Sequence, residues 1–325
     1  MATMTAFTLT APLTDPDAAW RELLAHPELL WGHGAPDLEP GRDYASHSQV
    51  GTGGQGRIGS VQPGRVEFTW GAAGWEQPGR FVVFVGGDLL VDARAIPEAA
   101  ATAARQHWER MVAGAADYLN HPNPPLDAPV RAVLFDADGV LQWPRPGWLE
   151  EFTRIGGDGF VVDAFRAEIG CLTGHDDLKP RLEALLAASG TGGGVDEILA
   201  IWHDIVIDAD AFAVVERVRT SGVTVGLATN QQSYRGAQMR DRYRLDRHFD
   251  HTFYSYEVGH AKPSPEYFRH ILAELDLPAD QVAFVDDAPA NVRAARVVGL
   301  RAALHRTGDG AFGLAADLVG LGVPI

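Results

Sequence analysis

Three short apolar runs, at 132–135, 223–228 and 282–285, each end in residues suited to phosphate or metal, and nothing else in this 325-residue chain restricts the fold as much. The first run leads into Asp136 and Asp138, the second into Thr229 and Asn230, the third into Asp286 and Asp287. Near-continuous apolar runs of four to six residues read as strands buried on both faces, as in parallel sheets. The stretches between them are long enough for helical crossovers. The fold predicted for this part is α/β, a doubly wound parallel sheet. Such a sheet delivers every strand's carboxyl end to one edge, where open α/β sheets bind ligands.

Asp136 and Asp138 stand two residues apart and are followed by Gly139. Two such carboxylates repel unless a cation or a proton is shared between them. An Asp-rich turn after a strand is common in itself; its repetition at three strand ends is the signal. The segment Gly259-His-Ala-Lys262-Pro263 lies between the second and third runs. The chain has only two lysines, Lys179 and Lys262, against a background of arginine. A lysine among carboxylate-bearing strands suggests a need for a compact point charge.

These residues, in this order, resemble the haloacid dehalogenase superfamily. Asp136-x-Asp138-Gly139 is similar to its first motif, Thr229 to its second, Lys262 to its third and Asp286-Asp287 to its fourth. The resemblance runs from about Arg131 to Arg306. The stretch 284–299 is most similar to the branch that holds the phosphatase domain of soluble epoxide hydrolases. The resemblance implies an aspartyl-phosphate mechanism with Asp136 as nucleophile and Asp138 as general acid and base. It implies Thr229, Asn230 and Lys262 around the phosphate, and Mg²⁺ held by Asp136, the backbone carbonyl of Asp138 and Asp287, with Asp286 behind or in exchange. The acid role requires Asp138 to hold a proton, which a crowded anionic site is expected to favour. Dehalogenases of the superfamily lack the second carboxylate, so its presence favours a phosphatase. A phosphomutase would keep the same four motifs. An insertion at about 142–207, with helical patterns at 148–155, 161–170, 177–189 and 195–206, corresponds to the family's helical cap. A cap of this size implies a small phosphorylated metabolite as substrate. Trp143, Trp148 and the 170–175 loop are candidates to face it.

The segment 121–129 has four prolines in nine residues. It predicts a boundary, with a Pro-rich linker at 123–130 between a domain at 1–122 and another at 131–325. The first part reads as a short helix at 15–26, a β-rich stretch at 43–95 and a long helix at about 97–119 with Trp108, Met111, Val112, Ala115 and Leu119 on one face. This order resembles the START-like (SRPBCC) helix-grip family, an α+β fold, and within it the activator-of-chaperone-ATPase type. Trp20-Arg-Glu-Leu-Leu, Val66-Glu-Phe-Thr-Trp70 and His107-Trp-Glu-Arg-Met111 carry the likeness. It implies a sheet gripping the last helix and room for an apolar ligand. A non-enzymatic alternative makes this half dominant, as a ligand-binding or chaperone-associated module beside a vestigial hydrolase.

Net charge is −16, with both halves acidic, which argues against nucleic acid as a partner. The single cysteine, Cys171, allows no disulfide within the chain and fits a reducing cytoplasm; it reads as a packing residue. No amino-terminal stretch has the pattern of an export signal, and no apolar run is long enough to span a membrane. Gly51-Thr-Gly53-Gly-Gln-Gly56 matches a dinucleotide fingerprint, but a polar run precedes it and a strand follows, so a hairpin turn is expected. Histidines 26, 33, 47, 107 and 121 lack ligand spacing and read as surface or capping residues, and Arg240–Arg247 as a solvated helix end.

Overall fold

In the computed structural model the described residues are 3–32, 35, 37–46 and 54–325. His33, His47 and Gly51 to Gly53 lie outside them. The chain divides into two units, Met1–Pro122 and Asn123–Ile325.

In the first unit six strands form one antiparallel sheet. They are β1 (Met4–Pro12), β2 (Asp43–Ser46), β3 (Gly54–Gln62), β4 (Arg65–Ala72), β5 (Gly79–Val85) and β6 (Asp88–Pro97), in the order β1-β6-β5-β4-β3-β2. β2 and β3 pair antiparallel on either side of the glycine-rich segment, with Ser46 opposite Gly54. The helices are α1 (Pro16–Ala25), α2 (Glu28–Trp31) and α3 (Ala101–Leu119). Asp15 caps α1 by accepting from Ala18 N at 2.9 Å. α3 buries Ala104, Trp108, Val112, Ala115 and Ala116, a stripe at helical spacing. Trp108 packs at 5.0 Å on Phe81 and 5.6 Å on Phe68, and Trp31 at 4.9 Å on Phe68. These rings form the core of the first unit. His107 is half-buried. It stacks on Trp70 at 5.3 Å, and burial, helped by the nearby Arg110, lowers its pKa.

The second unit is built on five parallel strands, β7 (Ala132–Phe135), β10 (Thr224–Thr229), β11 (His251–Tyr254), β12 (Val282–Asp286) and β13 (Arg301–Leu304), in the order β11-β10-β7-β12-β13. The other two strands, β8 (Gln142–Pro144) and β9 (Ile205–Ile207), pair with each other. The helices are α4 (Trp148–Gly156), α5 (Phe160–Ile169), α6 (Leu178–Ser189), α7 (Val195–His203), α8 (Ala209–Thr220), α9 (Ser233–Asp241), α10 (Ser255–Val258), α11 (Pro265–Leu275), α12 (Pro289–Val298) and α13 (Gly310–Gly320). Val133, Phe135, Val225, Leu227 and Val285 pack with Phe212 and Val215 of α8 and Leu314 and Leu318 of α13. From α11, Phe268 meets Phe284 of β12 at 5.2 Å. β7 is central, and the direction of winding reverses at it, so its neighbours β10 and β12 bring their carboxyl ends beside its own.

Helices α4 to α7 carry their own core, with Phe152, Ile155, Phe160, Leu182, Ile198 and Trp202 buried together. Trp148 belongs to that packing, 5.5 Å from Phe152 and 5.9 Å from Phe165, and is taken up by it. Cys171 is buried, donates to Ala167 O at 3.5 Å, and has its pKa raised by burial, which leaves it inert.

The Pro-rich segment is not a free spacer. Asn123 Oδ1 accepts from Ala302 N at 2.6 Å, and Arg301 Nη2 donates to Ala128 O at 2.6 Å. β13 is an edge strand whose outward amide needs an acceptor, and this segment supplies one.

Candidate active site

β7 ends by handing Asp136 to the switch point. Its N–H donates to Val285 O at 3.0 Å, which continues the ladder to β12. Asp136 Oδ1 accepts from Ala137 N at 2.7 Å and lies 2.8 Å from Lys262 Nζ. Among the described residues no donor occupies Oδ2, which leaves that oxygen free to act. The Lys262 ammonium also donates to Asp286 Oδ2 at 2.7 Å and Ala228 O at 2.8 Å. Its three hydrogens thus have three acceptors. In this arrangement Lys262 offers a phosphoryl oxygen charge rather than a free hydrogen.

Asn230, expected at the phosphate, spends its side chain elsewhere. Its Nδ2 donates to Lys262 O and its Oδ1 accepts from Lys262 N, both at 2.8 Å. The amide thus clamps the lysine's main chain and aims the ammonium. Thr229 is buried, and its hydroxyl oxygen accepts from Gln231 Nε2 at 3.1 Å, so its own hydrogen stays available.

Asp286 is fully buried and engaged. Besides Lys262 it accepts from Ala288 N at 2.8 Å and Asn291 Nδ2 at 3.0 Å. Among the described residues Asp287 has no such donors. One oxygen each from Asp136, Asp286 and Asp287 lie within 4.8 Å of one another. Burial, then the neighbouring Asp286 and Asp136 charges, push the Asp287 carboxyl well up. Burial likewise raises Asp136 to about 7 against the pull of Lys262. For Lys262, burial opposes the charge, but Asp136 and Asp286 outweigh it and raise its pKa. One ammonium among three carboxylates leaves a deficit of positive charge that a divalent cation would fill. An all-oxygen donor set suits Mg²⁺, and the residues present fit that ion. Gly139 keeps the space open. It sits at φ +84°, and a Cβ there would fall inside the Asp287 carboxylate.

Asp138 is the correction. Crowding was expected to keep it protonated, yet it faces a cation. Arg235 Nη1 donates to Oδ2 at 2.5 Å and Nη2 to Oδ1 at 2.6 Å. Gln231 Nε2 adds a bond to Oδ2 at 2.7 Å, and Gln142 Nε2 one to Oδ1 at 3.1 Å. Burial alone would raise its pKa, but Arg235 and these donors outweigh it and hold the carboxyl below the usual carboxylate range. Asp138 therefore rests as an anion, with 37% of its side chain exposed and so open to a substrate. A second acid, Glu168 near the end of α5, lies in the field of Arg235 and Asp138, and burial raises its pKa to about 8.

Arg235, Gln231, Gln142 and Asn291 were not singled out from sequence. Arg235 carried one usable signal, an arginine four residues after Gln231 at the start of a helix, but its depth was not legible. Arg240 also corrects an expectation. It bonds Asp246 at 2.8 Å and Glu257 at 2.7 Å and lies 4.8 Å over the Tyr254 ring, so this stretch is tied down rather than merely solvated.

The family model for haloacid dehalogenase-like hydrolases matches residues 130–299, more than half the chain. The chain belongs to that family. Membership and its phosphatase relatives make it a hydrolase of the phosphatase type. It is 24% identical over 206 residues to the phosphorylated carbohydrates phosphatase of Thermotoga maritima, a match covering 60% of this chain and 95% of that one. It is 26% identical over 209 residues to bifunctional epoxide hydrolase 2 of Sus scrofa, covering 55% of this chain but only 37% of that enzyme. A family enzyme from Bacteroides thetaiotaomicron, solved as a magnesium complex, shares the fold with a TM-score of 0.50 at 22% identity, over 56% of this chain and 96% of that one. No helix among the described residues is long and apolar enough to cross a membrane.

Proposed function

We propose that the second unit hydrolyses a small organic phosphate monoester through a phosphoryl group carried on Asp136, with Mg²⁺ as cofactor. The observation that carries the reading is the group of Asp136, Asp286 and Asp287 around Lys262, with Asp138 two residues from the nucleophile. In the first step Asp136 Oδ2 bonds to phosphorus, the ester P–O bond breaks, and the leaving oxygen takes a proton through Asp138. In the second step a water gives its proton to Asp138 and attacks phosphorus, and the Asp136–phosphorus bond breaks. An anionic Asp138 is ready for the second step. For the first it must be loaded with a proton, which a monoanionic phosphate ester brings with it.

Thr229 and the backbone amides beside Asn230 would hold the phosphoryl oxygens, while Lys262 balances charge on the nucleophile. Asp136, Asp287 and the Asp138 carbonyl would hold Mg²⁺, with Asp286 orienting Lys262 behind them. Bound there, the ion would neutralise phosphate and carboxylates together. The names of the relatives support phosphorylated small molecules as substrates. Helices α4 to α7 would form the cap that excludes water. For the first unit we propose the helix-grip architecture, supported by the six-stranded antiparallel sheet and its long final helix. The lone buried cysteine supports a reducing, cytoplasmic setting.

The test is phosphate release from a panel of sugar, nucleotide and short-chain alkyl phosphates, with Mg²⁺ and with EDTA. Mg²⁺-dependent release is expected. Equal release in EDTA, or none from any ester, would overturn the reading.

A further inference from the structure

One guanidinium lies between the acid/base carboxylate and the inserted helices. Arg235 is buried in α9, and every nitrogen of its fork has an acceptor. Nη1 and Nη2 grip both oxygens of Asp138. Nη1 also reaches Gln231 Oε1 at 3.0 Å, and Nε donates to Trp202 O, in the last turn of α7, at 3.0 Å. Gln231 in turn bonds Asp138 and Thr229, so this set joins the phosphate-facing hydroxyl to the acid/base group. Gln232 Oε1 caps α9 by accepting from Tyr234 N at 2.8 Å and Arg235 N at 3.2 Å, which fixes where the arginine starts.

We propose that Arg235 is a positioning residue of this enzyme, holding Asp138 in the one orientation that faces both the leaving oxygen and the attacking water, and tying that orientation to α7. The proposal rests on the reading of Asp138 as the acid/base group. A carboxylate on a two-torsion side chain at a turn would otherwise sample several rotamers. A planar fork gripping both its oxygens removes that freedom. A lysine could supply the charge but not the planar fork that grips both carboxylate oxygens. Four of its five N–H donors are engaged by Asp138, Gln231 and Trp202, and the residue acts through Asp138. Proton transfer needs a donor within hydrogen-bond reach of the reacting oxygen. A misplacement of about 1 Å can cost on the order of 10²-fold in rate.

The experiment is a double-mutant cycle on the full chain with one alkyl phosphate the wild type hydrolyses, using Arg235→Lys, Asp138→Asn and both together. Arg235→Lys should lower kcat by about 10²-fold with little change in KM. Inhibition by inorganic phosphate with Mg²⁺ should persist, because the residues proposed to hold the phosphate are untouched. In the double variant kcat should match that of Asp138→Asn alone, because a residue that acts only through another adds nothing once the other is gone. Arg235→Met, if it folds, should be no better than Arg235→Lys. Additive losses in the double variant, or an Arg235→Lys enzyme with wild-type kcat, would overturn the proposal. A wild-type chain that hydrolyses nothing would overturn the phosphatase reading itself, and this inference with it.

Discussion

The two units bury different things. Among the described residues, twelve buried side chains are polar or charged, and the first unit holds only Ser46 of them. Its interior is rings and aliphatics, with Phe68, Phe81 and Trp108 in mutual contact. The second unit holds the other eleven, and all but Arg301 and His305 lie at or beside the carboxyl ends of β7, β10 and β12. Burying polar groups is unfavourable unless each finds a partner. One interior is organised for packing. The other gathers Asp136, Lys262 and Asp286 within hydrogen-bonding reach of one another. Buried polar and charged side chains are what separate the reactive half from the rest.

Substitutions can break this contrast, and the largest effect belongs at the nucleophile. Asp136→Asn should lower phosphate release by about 10⁴-fold or more, while the first unit's near-UV circular dichroism, dominated by its tryptophans, stays unchanged. Lys262→Met leaves Asp136 and Asp286 buried without a counter-ion, and should cost the second unit about 3–5 kcal/mol in denaturant unfolding. Trp108→Ala is the matching change in the first unit. It should cost about 3–5 kcal/mol there by opening a cavity, yet leave phosphate release intact. Saturating Mg²⁺ should sharpen the same division. At about 100 times its Kd it adds about 2.7 kcal/mol to the unit that binds it, so one thermal transition should move and the other stay.

A pH-dependent effect concerns Glu168. Its pKa is raised in the folded state from 4.5 to about 8, so between those values the folded chain binds more protons than the unfolded chain. Its contribution is therefore complete below pH 4.5 and is lost as pH rises through about 8. Glu168→Gln should flatten the fall in melting temperature over that window, with the variant ahead of wild type at pH 8 and level with it at pH 4.5.

Much of the second unit was legible in sequence because strand-end chemistry is local. Asp136, Thr229 and Asp286 each follow an apolar run, and the sheet alone brings them together. Helices α4 to α7 lie within a few residues of where apolar periodicity put them. Arg235 was not legible, because its importance comes from a partner 97 residues away in sequence. The protonation of Asp138 was misread for the same reason. Counting nearby carboxylates finds the repulsion but not the buried guanidinium that cancels it. The docking of Asn123 on β13 was hidden too, since prolines announce an extended chain but not an edge strand in need of an acceptor.

The central claim is that Asp136 carries the phosphoryl group between two steps. Acid-quenching the enzyme during turnover of a phosphate ester with Mg²⁺, then mapping the modified peptide by mass spectrometry, tests it directly. A phosphoryl adduct on Asp136, absent from Asp136→Asn, is the result predicted here. Steady phosphate release with no adduct at that residue, or with one elsewhere, would contradict it.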